Sequence, residues 1–254
     1  MTSSILVLFL QLLIVLGLLL WADRWLHRHL QGVMLLVAGD KDLALWLYAM
    51  ALLPGVLLHE LSHAVVARVM GVRIGRIHLL PRRIGKRIQL GFVPIQETDI
   101  LRASLIGGAP LIFGSSAVVG IGYLVFGTPE MLNALSAGDW LRGVQGLLGT
   151  LQAPDLWIWV YLVFAISNTM LPSRSDIHAW PVLALIAMLA VALLVAAGGL
   201  SLVLQGVGGF LLVAVRWLVL LGASVLLVDL PIFAALFLGQ KLLEILKGVH
   251  LEFD

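Results

Sequence analysis

His59-Glu60-Leu61-Ser62-His63 lies inside an apolar run from Leu43 to Val66. Three ionisable side chains in five residues restrict what this run can become. On a helix, positions i and i+4 share one face, so His59 and His63 turn two imidazoles toward one point. Glu60 is then within reach of a water at that point. Two neutral histidines with a carboxylate at this spacing are the parts of a zinc site with an adjacent general base. Ionisable groups in a lipid-buried helix are costly and are kept for function. A divalent metal is the partner these three call for.

The solvent around the motif follows from composition. Of 254 residues, 61% are hydrophobic and 12% are charged, against about 25% charged in a soluble domain. This composition predicts a single integral membrane domain in a lipid bilayer, over residues 1–254. A net charge of +2 gives no case for nucleic acid. Cysteine is absent, which excludes disulfides and thiolate metal sites. Metal ligands therefore come from His, Asp or Glu.

Apolar runs of spanning length predict six transmembrane helices, over residues 5–22, 43–70, 101–126, 156–171, 178–204 and 210–238. The first is read as a retained span, since a basic n-region and a small-x-small cleavage site are missing. Within Asp23 to Asp42, the apolar stretch Val33 to Ala38 is too short to cross and is expected at the interface as a short helix or loop. Pro54-Gly55, one turn before His59, predicts a kink that admits another backbone. Thr98 or Asp99 is a helix cap. Between them, Arg73, Arg76, Arg82, Arg83, Lys86 and Arg87 face only Glu97 and Asp99. Alternation over Arg87–Phe92, a weaker alternation over Val72–Leu80 and a turn at Pro81–Gly85 predict a β-hairpin. The positive-inside rule makes this basic segment cytoplasmic. Six spans then put both termini in the cytoplasm and residues 127–155 outside. The expected fold is an all-α polytopic membrane protein, in the cell membrane, with a small β-hairpin at the cytoplasmic face.

Three blocks in order carry a resemblance. They are His59-Glu60-Leu61-Ser62-His63, then Gly107-Gly108-Ala109-Pro110, then Asn168 with Asp176 eight residues later. Over residues 43–180 the chain resembles the site-2 protease family of intramembrane zinc metalloproteases, peptidase family M50. Pro172 falls one position later than in the family pattern, and Ile177 and Ser175 depart from it. From the residues alone, the third ligand stays open among His78, Asp155, Asp176, His178 and Asp229. The family spacing selects Asp176.

The resemblance implies one zinc ion per chain, held by His59, His63 and Asp176, with Glu60 as general base. It implies that Asn168 binds the substrate backbone or the tetrahedral intermediate. As an alternative, Asn168 is a plain helix C-cap. The implied activity is hydrolysis of a peptide bond in or near a transmembrane segment of a protein or peptide substrate, held extended by the hairpin edge. Two other classes are a catalytically inactive zinc-binding protein of the same fold and a metal transporter. The intact Glu60 argues against the first, and the absence of repeated halves against the second. The charge pattern makes orientation testable. A cysteine at Gly85 is expected to resist a membrane-impermeant thiol reagent in intact cells, while one at Ala137 reacts.

Overall fold

Inside a bilayer the backbone must satisfy its own polar groups, and helices do so within one segment. The computed structural model describes residues 2–84, 87–128, 130–131, 134, 138–173, 175–199, 206 and 208–251. Gly85, Lys86, Ala137 and positions 200–204 of the fifth predicted span lie outside them. The helices are α1 (Thr2–Ala38), α2 (Lys41–Ala51), α3 (Leu53–Val69), α4 (Ile100–Leu124), α5 (Trp140–Thr150), α6 (Leu156–Ser167), α7 (Trp180–Ala196) and α8 (Gly208–Lys247). Strands β1 (Arg82–Ile84) and β2 (Arg87–Gln89) follow α3.

Six spans are not what the helices provide. Among the described residues, only α1, α4 and α8 are long and apolar enough to cross alone, and α2 with α3 makes a fourth if the bent pair is one span. The apolar helices α6 and α7 have 12 and 17 residues. The first predicted span does not end at Ala22, because α1 runs on through the polar patch to Ala38. That patch holds no proline and satisfies itself along the helix: Asp23 pairs with His27, and His29 bonds the Trp25 carbonyl. Polarity marked an end that the backbone ignores. The span 43–70 is instead two helices bent by 68°. Pro54 lacks the N–H that would bond the Met50 carbonyl; the Leu52 N–H and the Tyr161 hydroxyl take it instead. Likewise α8 carries through Pro231 and into the predicted tail, and α5 occupies part of the loop 127–155.

A hairpin is present, but its first strand occupies Arg82–Ile84, inside the expected turn Pro81–Gly85. Arg82 pairs with Gln89 and Ile84 with Arg87 in antiparallel register. Further bridges join His78 to Phe92 and Ile74 to Ile95, so a ribbon extends back toward α3. Asp99 caps α4 by accepting the Arg102 N–H at 3.0 Å. That bond holds the Asp99 carboxyl below its usual pKa.

Packing centres on α3, which lies against α4 and α6, while α1 runs along α8. One cluster joins Leu26, Tyr48, Leu52, Val56, Phe164 and Ala165; a second joins Val118, Val163, Ile166, Met170 and Val225. Apolar contact alone gives little drive between helices in lipid, so close approach at small residues carries the packing. At Gly55 a Cβ would overlap the Ala165 carbonyl and the Thr169 hydroxyl. Gly55→Val is therefore expected to destabilise the fold by about 1–3 kcal/mol, read as an earlier unfolding midpoint in an SDS titration.

Candidate metal centre

The unbroken helix α3 sets His59 and His63 one turn apart, and hydrogen bonds then aim them. His59 donates Nδ1–H to the Thr169 carbonyl at 2.6 Å. His63 donates Nδ1–H to the Ile106 carbonyl at 2.9 Å. A carbonyl can only accept, so both rings carry their proton on Nδ1 and present a bare Nε2. The two Nε2 atoms lie 3.2 Å apart. Two lone pairs at that separation repel, and a cation between them turns repulsion into attraction. Asp176 adds negative charge at the same point, with carboxylate oxygens 3.8 Å from His59 Nε2 and 3.5 Å from His63 Nε2.

These separations test the fit of a metal. Zinc bonds of ~2.0–2.2 Å at tetrahedral angles require ligand atoms roughly 3.3–3.5 Å apart. A right-angled octahedral set at the same bond lengths requires about 3.0 Å. The two Nε2 atoms at 3.2 Å, with Asp176 Oδ1 3.5 Å from His63 and Oδ2 3.8 Å from His59, lie close enough to share one ion. Two imidazoles and a carboxylate, with no thiolate, fit a divalent transition metal such as zinc or iron(II). Three protein ligands leave the fourth tetrahedral position for water or substrate. Among the described residues no other three metal-binding side chains come together in this way.

The segment Gly107-Gly108-Ala109-Pro110 builds two sides of the site. In a helix the Ile106 carbonyl would bond the N–H of residue 110, but Pro110 has none. That carbonyl is left for His63. At Gly107 a Cβ would overlap the Asp176 backbone carbonyl, so only glycine lets the Asp176 loop come this close. The loop is held by its own contacts. Asp176 Oδ2 accepts the Ser173 N–H at 2.6 Å, and Trp180 Nε1–H donates to the Ser104 carbonyl at 3.3 Å.

Glu60 is buried at 7% exposure and stands outside the ligand set. Its side chain lies against Gly91 in the ribbon, where a Cβ would collide with it. Its carboxylate makes no hydrogen bond or ion pair among the described residues, and Asp176 is the charge that acts on it.

The other sequence-predicted residues lie apart from this group. Asn168 caps α6 and is buried. Its amide donates to the Phe164 carbonyl at 2.9 Å, to Ser167 Oγ at 3.3 Å and to Asp229 Oδ1 at 3.2 Å. Asp229 is thus engaged by Asn168. His178 bonds the Ser175 carbonyl, His78 pairs through its backbone with Phe92, and Asp155 precedes α6.

Sequence reasoning missed the carbonyls of Ile106 and Thr169. Every residue owns a carbonyl, so only Pro110, four residues after Ile106, signalled one of them. No family model matches the chain, and neither the curated proteins nor the solved structures yield a match. The role of Pro110 can be checked directly. Pro110→Ala restores a helical N–H that competes for the Ile106 carbonyl. Zinc affinity, measured by chelator competition, is expected to fall about 10-fold.

Proposed function

We propose that the chain is an intramembrane zinc metalloendopeptidase of site-2 protease type. One observation carries this reading: Glu60 is a buried carboxylate beside the ligand group, outside it, and without a hydrogen-bond partner of its own among the described residues. A zinc site that only braced a fold would have no use for such a group.

His59, His63 and Asp176 hold the ion. When bound, zinc supplies Lewis acidity toward a carbonyl oxygen and makes water easier to deprotonate. Glu60 accepts the proton of the attacking water and returns it to the amide nitrogen as the C–N bond breaks. The proton is conserved across the cycle, and Glu60 ends as it began. A transmembrane helix hides its peptide bonds, so the substrate must unwind before attack. The ribbon, which touches Glu60 through Gly91, offers an edge on which an extended segment can pair. Substrates on this reading are transmembrane proteins or peptides with a helix that unwinds readily.

Orientation follows from charge. The basic ribbon faces the cytoplasm. Against the expectation that both termini share that side, α1 and α8 run parallel, with Gly222 at Val15 and Leu19, Phe233 at Trp25 and Lys247 at the Leu36 carbonyl, so the amino end of α1 and the carboxyl end of α8 lie at opposite faces.

The test separates metal binding from catalysis. Glu60→Gln is expected to retain one zinc per chain and to lose cleavage of a model transmembrane substrate. His59→Ala is expected to lose both. Cleavage by purified Glu60→Gln would sink the mechanism. Wild-type chain that binds zinc but cleaves no transmembrane substrate would favour the inactive zinc-binding alternative.

A further inference from the structure

The residue before the carbonyl that aims His59 is held by a network from three other helices. Asn168 and Thr169 follow α6, and their two carbonyls accept from two different histidines. Thr169 accepts from His59 on α3. Asn168 accepts from His27 Nε2–H on α1, at 3.2 Å. His27 Nε2 also lies 3.2 Å from Asp23 Oδ1. With acceptors on both sides, that nitrogen carries the ring proton. His27 Nδ1 then accepts the Tyr48 hydroxyl hydrogen, from α2, at 2.7 Å. From α8, Asp229 Oδ1 accepts the Asn168 amide at 3.2 Å.

Asp229 is the part of this network that most needs a reason. It is 2% exposed, on a helix of membrane-spanning length. No Lys or Arg forms an ion pair with it among the described residues. A carboxylate in such surroundings is expensive unless something is gained from it. What it holds is the Asn168 side chain, and through it the residue that carries the Thr169 carbonyl. Tyr48 is 4% exposed and lies in the main core, so the hydroxyl end of the network is equally enclosed.

We propose that Asp229, His27 and Tyr48 form a clamp on the Asn168–Thr169 peptide that sets the direction of His59 Nε2 and so the affinity of the metal centre. The three are positioning residues, since none of them touches a metal ligand. The inference rests on the zinc reading above and adds that α1 and α8, which contribute no ligand, govern the site. Removal of a hydrogen bond behind a ligating histidine typically weakens metal affinity 10–100-fold. The clamp stands one peptide further back, so the lower end of that range is the expectation.

The experiment uses the full chain in detergent with zinc and cobalt as probes. Zinc affinity is read by chelator competition, and ligand geometry by the visible bands of bound cobalt. Asp229→Leu and His27→Phe are expected to weaken zinc about 10-fold and to shift the cobalt bands. Asp229→Asn keeps an oxygen that accepts the Asn168 amide and is expected to restore both readouts. Tyr48→Phe removes one hydroxyl and is expected to shift the bands in the same direction. Val118→Ala, a core truncation outside the network, is expected to lower stability and leave the bands in place.

Unchanged affinity and bands in Asp229→Leu, His27→Phe and Tyr48→Phe would overturn the clamp. So would a loss in Asp229→Asn equal to that in Asp229→Leu. If the two larger substitutions do not fold, Tyr48→Phe decides alone. Neither readout involves proteolysis. A wild-type chain that binds metal without cleaving peptides therefore overturns the proposed function only, and one that binds neither ion overturns both.

Discussion

Two imidazole N–H groups donated to backbone carbonyls hold the centre of this molecule together. Each bond fixes a tautomer and a ring plane at once, so the two Nε2 lone pairs converge. The acceptors belong to different segments, α4 and the chain after α6. The converging geometry therefore exists only when α3, α4 and that chain are docked. In the unfolded chain the same histidines have no reason to share a target. Affinity for a metal at this site is for that reason a property of tertiary structure, and a bound ion stabilises the packing in return.

Docking of that quality needs backbones to come close, and glycine permits it at three places around the site. Gly55 admits the end of α6, Gly107 admits the Asp176 loop, and Gly91 admits the Glu60 side chain. The chain after α6 is irregular, with free carbonyls and a tight turn at Ser173–Asp176. Irregular backbone at membrane depth is tolerated only where protein encloses it. The enclosing surfaces here are α3 and α4. The same feature that shields the loop from lipid brings Asp176 to the histidines.

Local patterns were legible in the sequence, and non-local ones were not. The i, i+4 histidines, the Asp99 cap, the break near Pro54 and the alternating basic ribbon depend on neighbours in the chain. Each appears in the structure, though the first strand of the ribbon, Arg82–Ile84, lies inside the stretch expected as its turn. Span boundaries were less legible because hydropathy measures side chains while a helix ends for backbone reasons. Hence α1 continues past Ala22 through Asp23 and His27, whose polar groups bond within the helix and to Tyr48 and Asn168. The approach of Asp176 to His63 joins residues more than a hundred positions apart. Nothing in composition or periodicity marks that distance, and only the spacing from Asn168 hinted at it. The burial of Asp229 against Asn168 left no local trace beyond a lone carboxylate in an apolar run.

The short helices have a consequence for the surrounding lipid. At 12 and 17 residues, α6 and α7 are about 18 and 26 Å long, against a hydrocarbon core of about 30 Å. No residue of α7 is buried, and its contact with α4 is made at Trp180, against Ser104 and Gly108. A bilayer that met both ends of either helix would have to thin to match it, at a cost of a fraction of a kcal/mol per Å of mismatch. Such thinning would fall next to the loop that carries Asp176, between the two helices. Membrane thickness would then be a physical variable of the candidate site itself: thinner bilayers relieve the mismatch, and thicker ones load it onto the helices on either side of that loop.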